Sequence, residues 1–159
     1  MEGKALLFKK FAGIDAFLIG FESYHTDFIE EVKNIALVFG GINLEDIAAP
    51  KCFEVEGALL EIGIPVMHDD QHGTAITMFA ALLNSCRVLR KEFEDLNIVV
   101  SGAGAAGYAI VHLLRCIGYS PDICQRVQDI IVCDTKGIIH RNRKGLYANK
   151  YKTILKNMG

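Results

Sequence analysis

Residues 97–107, from Asn97 to Gly107, read Asn-Ile-Val-Val-Ser-Gly-Ala-Gly-Ala-Ala-Gly and decide the fold of this chain. The first five residues form an apolar run typical of a strand that is buried in a parallel sheet. Three glycines follow at the GxGxxG spacing, and a helical pattern then runs from Ala105 to about Ile117. A strand, a glycine loop and a helix in this order predict the first unit of an α/β domain.

The glycine loop predicts a dinucleotide site. Gly102 permits a tight turn, and Gly104 lets the backbone approach a pyrophosphate. Gly107 lets the helix pack against the strand, and the first turn of that helix, at Ala105 and Ala106, faces the phosphate charge. These five residues are the predicted cofactor-binding loop. The alternative is a packed strand–helix–strand unit that binds no nucleotide.

A second strand, Ile130-Ile131-Val132-Cys133-Asp134, ends in an acid 27 residues after Gly107. An acid at this position binds ribose hydroxyls and disfavours a 2′-phosphate, so NAD is preferred over NADP. Lys136 and Arg141 stand nearby and soften that preference. The basic stretch from Lys136 to Lys144, which includes Arg143, is interpreted as a solvated turn.

Upstream of the loop, two acidic doublets each follow an apolar run. Glu45-Asp46 follows a predicted strand at 42–44, and Asp69-Asp70 follows the predicted strand at 64–67 and His68. Carboxylates gathered in a low-dielectric site repel one another unless a cation lies among them. Their hard oxygen atoms suit Mg²⁺ or Mn²⁺. The alternative is that the acids cap helices or are solvated.

Composition narrows the classes of function. Hydrophobic residues make up 51% and charged residues 23% of the 159 residues, which is typical of a folded chain. A net charge of −2 argues against nucleic acid as a partner, and no segment has the length of an apolar membrane span. The chain has an odd number of cysteines, most of them in apolar patterns, without a CxxC pair; this fits a reducing, cytoplasmic compartment. The five cysteines are Cys52, Cys86, Cys116, Cys124 and Cys133.

The rest of the chain predicts further elements around these motifs. The helix from Thr74 to about Lys91 is apolar over a wide arc, so we expect it to be buried between two lobes. The helix after Asp27 presents an apolar face that includes Phe28 and Val32. The other expected elements are a buried strand at 13–20, an extended link at 50–55, a short helix at 56–61, a turn or hairpin at 137–146 and a final helix at 151–156.

Taken together, these motifs resemble the malic enzymes, specifically the short bacterial type. The resemblance rests on Gly-Gly-Ile-Asn-Leu-Glu-Asp-Ile at 40–47, His-Asp-Asp-Gln-His-Gly-Thr-Ala-Ile at 68–76 and the glycine loop, and it covers nearly the whole chain. It implies oxidative decarboxylation of malate to pyruvate and CO₂ with NAD or NADP and a divalent metal. It also implies that residues 1–70 are the C-terminal part of a substrate and metal domain. Residues 71–159 are then the first part of a Rossmann-like dinucleotide-binding domain.

The resemblance also implies roles for individual residues. Glu45, Asp46 and Asp70 match the metal ligands of the family, and Asp69 matches an acid that neighbours the active-site lysine. Lys4 matches the catalytic lysine, which takes the proton of the substrate hydroxyl. Without the resemblance, Lys4 would be a solvated terminal lysine. A lysine acts as a base only where its surroundings lower its pKa toward neutrality.

The chain also departs from the family pattern. Met1 aligns with an interior methionine, and the upstream tyrosine and arginine, the later strands and the substrate-binding asparagines have no counterpart. We therefore expect a fragment that is inactive alone and that forms a homo-oligomer or associates with a longer homologue. One alternative is a non-catalytic remnant. Another is a Rossmann dehydrogenase for amino or keto acids, which leaves both acidic doublets unexplained.

Overall fold

A computed structural model describes residues 2–21, 28–118 and 124–144. Over these ranges the chain is an α/β protein, as its sequence predicts, with two small sheets and five α-helices. The helices are α1 Glu2–Ala12, α2 Phe28–Ala36, α3 Lys51–Leu59, α4 Asp69–Leu89 and α5 Ala105–Leu114. The strands are β1 Ile42–Leu44, β2 Val66–His68, β3 Asn97–Ser101, β4 Asp129–Asp134 and β5 Gly137–Ile138. The predicted cap at Asp27 and the predicted helix at 151–156 lie outside the described residues.

The first sheet pairs β1 and β2 in parallel, with Ile42 opposite Val66 and Leu44 opposite His68. Because both strands end at the same edge, the acidic residues that follow them start from neighbouring positions. Helices α2 and α3 cover this sheet with apolar side chains. Their buried residues are Phe28, Val32, Ala36, Cys52, Val55 and Leu59.

The second sheet has the strand order β3-β4-β5. Strand β3 pairs with β4 in parallel, and β4 turns into β5 as an antiparallel hairpin. The predicted strands at 97–101 and 130–134 are therefore confirmed, whereas the hairpin turn lies at 135–136, before the segment 137–146 in which it was expected. Helix α5 crosses over between β3 and β4, and its buried Val111 and Leu114 pack with Val100, Ile130 and Val132.

Helix α4 leads from the first sheet to the second and packs along α5. It begins at Asp69, five residues before the predicted start at Thr74. The expectation that it is buried over a wide arc is wrong for the described part of the chain, because Ile76, Val88 and Leu89 are all more than half exposed.

Two further elements differ from the sequence-based expectation. Residues 13–20 form no strand, and Phe17 is 74% exposed, because this apolar run finds no strand to pair with among the described residues. Helix α3 begins at Lys51, in the segment that was predicted to be extended. The expectation that β3 is buried is wrong for one face of the strand, because Val99 is 65% exposed and this face of the second sheet is open to solvent among the described residues.

The cysteines divide into two groups. Cys52, Cys86 and Cys133 are free. Cys52 and Cys86 are buried, as their apolar patterns predict, and Cys133 is partly buried. Cys116 and Cys124 form a disulfide bond, which the expectation of reduced cysteines missed, because the fold brings their Cα atoms within 5.8 Å. Within the described ranges, no helix combines the length and apolarity that crossing a membrane requires.

Candidate functional site

Lys4 joins the acidic ends of β1 and β2. Its Nζ donates to Oε1 of Glu45 and to Oδ2 of Asp69, residues that lie 41 and 65 positions away along the chain. The three side chains are partly buried, with exposed fractions of 30%, 20% and 35% respectively. The fold thus brings together the predicted catalytic lysine, its predicted acidic neighbour and one predicted metal ligand.

The two carboxylates control the charge of Lys4. Hydrogen bonds to Asp69 and then to Glu45 raise the pKa of Lys4, and partial burial opposes them only in part. Lys4 is therefore positively charged at neutral pH. A lysine that acts as a base requires a lowered pKa. This arrangement raises the pKa of Lys4 instead, because its neighbours are anions rather than cations.

The predicted metal ligands are less well assembled. Asp46 is exposed and has a left-handed backbone with φ 58°, and Asp70 is exposed on the first turn of α4. Glu45 is bound to Lys4. Their oxygen chemistry suits a hard dication. Over residues 2–21, 28–118 and 124–144, no three His, Cys, Asp or Glu side chains are placed to hold an ion together. The assignment of Glu45, Asp46 and Asp70 as metal ligands stays a prediction.

Gly73 makes room for the carboxylate of Asp69. A Cβ atom at Gly73 would lie 2.2 Å from Oδ1 of Asp69, four residues earlier on α4. Only glycine leaves that space free for the carboxylate in its present position. Gly73 lies in the motif at 68–76, but the sequence pattern alone indicates no role for it.

Glu56 holds the turn between β2 and α4, and sequence reasoning missed it. Its Oε1 accepts the backbone N–H of His68 at 3.1 Å and contacts Nε2 of His72 at 2.7 Å, while its Oε2 accepts Nε2 of Gln71 at 3.1 Å. The side chain is only 12% exposed. A signal was available, because Glu56 shares the buried face of α3 with Val55 and Leu59 at helical spacing.

The charges at this turn support one another. Burial opposes ionisation of Glu56, but the hydrogen bond and charge of His72, together with the amide of His68, lower the pKa of Glu56 below its ordinary value. The hydrogen bond to Glu56 in turn raises the pKa of His72. A cavity of about 380 Å³ lies beside the pair and reaches His112 on α5. Burial lowers the pKa of His112, so this ring is neutral at neutral pH.

The glycine loop is shaped by its backbone. Gly102 has φ 124°, in the region that favours glycine, and its N–H donates to the carbonyl of Cys133 at 2.9 Å. A Cβ at Gly107 would lie 1.9 Å from the carbonyl oxygen of Gly102, whereas a Cβ at Gly104 would meet nothing within 4 Å. Ala105 and Ala106 open helix α5 directly after this loop. The arrangement leaves open space beside the N-terminus of a helix, which suits an anion.

Asp134 ends β4, but its carboxylate is already engaged. Oδ1 accepts Nη2 of Arg143 at 2.7 Å and the backbone N–H of Lys136 at 2.8 Å. The side chains of Asp134 and Arg143 are 7% and 13% exposed. The interpretation of this basic stretch as a solvated turn is therefore wrong for Arg143, whose guanidinium lies against Asp134 at the end of β4.

Comparisons with known proteins find relatives that cover nearly the whole of this chain. The family model described as "Malic enzyme, NAD binding domain" matches residues 71–158. The chain is 50% identical over 153 residues to the NAD-dependent malic enzyme of Geobacillus stearothermophilus, covering 95% of this chain and 30% of that protein. It is 52% identical to the NADP-dependent malic enzyme of Escherichia coli, covering 91% of this chain and 18% of that protein. The crystal structure of the NAD-dependent malic enzyme of Thermotoga maritima superposes with a TM-score of 0.88 at 43% identity, over 99% of this chain and 40% of that one. The chain thus spans less than half the length of each of these relatives.

Proposed function

This chain belongs to the malic enzyme family, and we propose that it supplies the lysine–carboxylate cluster and the dinucleotide loop for oxidative decarboxylation of malate. In that reaction the carbinol carbon gives up a hydride and the hydroxyl gives up a proton. CO₂ then leaves the resulting keto acid, and the enolate that remains takes up a proton at carbon to yield pyruvate. The observation that carries the proposal is the meeting of Lys4, Glu45 and Asp69 from separate elements. A cytoplasmic location for the protein is also part of what we propose.

Lys4 is the residue we propose for the proton transfer. Asp69 and Glu45 hold it in the protonated state, so it must give up one of these contacts before it can accept a proton. Loss of either carboxylate lowers the pKa of the lysine and points its Nζ away from the strand ends. Asp69 acts by orienting the ammonium, because Gly73 leaves its carboxylate room to reach Lys4.

The cofactor of the proposal is NAD or NADP, which would accept the hydride when bound. The residues proposed to hold it are Gly102, Gly104, Ala105, Ala106 and Gly107, with Asp134 beyond them. NAD remains the slight preference, because an acid ends β4. Arg143 supports NADP as the alternative, since its guanidinium lies against that acid.

Titration of NADH into the 159-residue chain, followed by nicotinamide fluorescence, tests the dinucleotide loop. We expect binding to the unaltered chain and its loss in Gly104→Val. A Cβ atom at Gly104 would meet no protein atom within 4 Å, so the added side chain would enter the open space that we propose for the cofactor. Equal binding by the two chains would contradict the proposal.

A malate assay addresses catalysis and the metal. We expect the 159-residue chain with malate, Mn²⁺ and NAD⁺ or NADP⁺ to produce no steady NAD(P)H, because the catalytic tyrosine implied by the family resemblance has no counterpart in it. Steady production would refute the expected inactivity. Electron paramagnetic resonance of Mn²⁺ tests the proposed ligands Glu45, Asp46 and Asp70 separately, and Mg²⁺ is expected to compete for the same site.

A second candidate is a non-catalytic subunit that docks onto a longer homologue. It is favoured by helix α1, which has no buried residue and exposes Leu6 by 71% and Phe11 by 76%. Sedimentation of the chain alone and of its mixture with a full-length malic enzyme would separate the possibilities. A homo-oligomer is expected in the first sample, and a mixed complex would favour the docking subunit.

A further inference from the structure

We propose that Glu56, which lies outside both acidic doublets, is the positioning residue that fixes the turn from β2 into α4 and so directs Asp69 and Asp70. The inference deepens the proposed function and rests on it, because these two acids belong to the proposed lysine and metal cluster. Glu56 touches neither of them in any contact described above. It acts through the residues on either side of the doublet, His68 and Gln71.

The start of α4 explains why such a residue is needed. His68 is the N-cap of α4, and no side chain caps the helix in the usual way. In a capping box, the side chain three residues into the helix accepts the N–H of the N-cap residue. Here that residue is Gln71, and its amide donates to Glu56 instead. Glu56 accepts the N–H of His68 in its place. A side chain of α3 therefore caps the start of α4, a role that a residue of the helix itself fills in a capping box.

The anchoring of Glu56 makes it able to fix the turn. Val55 and Leu59, on the same helix, are fully buried in the apolar cluster between α2, α3 and the first sheet. The two oxygens of Glu56 therefore occupy defined positions, and they hold the residues immediately before and after Asp69-Asp70. A carboxylate close to the N-terminus of α4 is also favoured by the helix dipole, and His72 adds a third contact to Glu56 at 2.7 Å.

Hydrogen exchange provides a test that needs no catalysis. In Glu56→Ala, we expect amide exchange in peptides covering residues 66–76 to accelerate about tenfold, the effect of losing a helix cap. Peptides from α5 should exchange as in the unaltered chain. The matched control is Glu54→Ala, which removes a 58%-exposed acid of the same helix that pairs with Lys51. Glu56→Gln should restore part of the protection, because its carbonyl can still accept the N–H of His68.

Mn²⁺ affinity, measured by electron paramagnetic resonance on the same variants, separates the two proposals. We expect about tenfold weaker binding in Glu56→Ala and no change in Glu54→Ala. Unchanged exchange at 66–76, or equal acceleration throughout the chain, would overturn the positioning role. If the unaltered chain binds no Mn²⁺, the metal part of the proposed function fails, while a local opening confined to Glu56→Ala still supports the positioning role.

Discussion

The lysine–carboxylate cluster and the glycine loop are held in place by different means. Lys4, Glu45 and Asp69 are joined by contacts between flexible, partly exposed side chains. The glycine loop is set by the backbone, with Gly102 in a left-handed conformation and Gly107 in contact with its carbonyl. A cluster held by side chains should respond to charge, pH and salt. A loop held by backbone should respond mainly to added volume.

The largest expected effect comes from Gly107→Ala. The new Cβ would meet a backbone oxygen 1.9 Å away, so helix α5 or the loop must move, at a cost of about 2–4 kcal/mol of unfolding free energy. Urea unfolding measures this. Gly104→Ala is the control and should cost about 1 kcal/mol or less, since its Cβ enters open space. Similar losses in both variants would break the contrast between the two regions.

Arg143→Gln tests whether cofactor binding beside the glycine loop also depends on a charged pair. The substitution removes the cation that Arg143 holds against the buried carboxylate of Asp134. We expect NADP⁺ to bind about tenfold more weakly relative to NAD⁺, because that carboxylate then repels a 2′-phosphate. Competition against NADH fluorescence gives the ratio. Arg143→Lys should retain most of the NADP⁺ affinity, and an unchanged ratio in Arg143→Gln would exclude a role in selectivity.

Gly73→Ala makes the same chemical change as Gly107→Ala, but beside the lysine–carboxylate cluster. Its Cβ would meet the end of a side chain, Oδ1 of Asp69, which can turn away. The unfolding free energy should change by less than about 1 kcal/mol, since alanine also favours the helix. The pKa of Lys4 should fall toward its ordinary value as the contact with Asp69 is lost. A ¹³C NMR titration of the lysine side chain would detect this, and an unchanged titration would contradict it.

The smallest expected effect is the pH dependence that His72 contributes. Its pKa is raised by Glu56, so its contribution to stability is present below the ordinary histidine pKa and is lost as pH rises through the raised value. The difference in unfolding free energy between the unaltered chain and His72→Gln should therefore be larger at pH 6 than at pH 9. It should stay below about 1 kcal/mol, because the ring is 47% exposed.

Lys33→Gln is the control for that measurement. It breaks an exposed pair with Glu30, and we expect the same difference at both pH values. A difference for His72→Gln that grew with pH would contradict the assigned direction. Urea midpoints measured at both pH values decide between the outcomes.

The parts of the fold that follow from local pattern were predictable. Strands β1, β3 and β4 and helix α5 each carry their own apolar run, and the structure confirms them. The apolar run at 13–20 carried the same local signal but found no neighbouring strand in the described residues. A strand needs a partner, and sequence pattern alone does not say whether one is present.

The supporting residues of the candidate site were not predictable in the same way. The hydrogen bonds of Glu56 reach 12 to 16 positions along the chain, and their geometry depends on how α3 packs against β2. In the sequence, Arg143 is one of several cations in a basic stretch, and nothing marks it as special. Its pairing with Asp134 depends on the hairpin, which brings the two side chains together. Motifs indicated which residues carry chemistry, whereas tertiary packing determined which residues hold them.

One nitrogen atom, Nζ of Lys4, closes two loops of the chain, of 41 and 65 residues. Loop-closure entropy grows only with the logarithm of loop length, so the longer loop costs about 0.4 kcal/mol more than the shorter one. Separation along the chain is therefore a weak barrier to assembling such a cluster. Once α1 lies against the strand ends, a residue near position 1 can serve acids far downstream almost as readily as nearer ones.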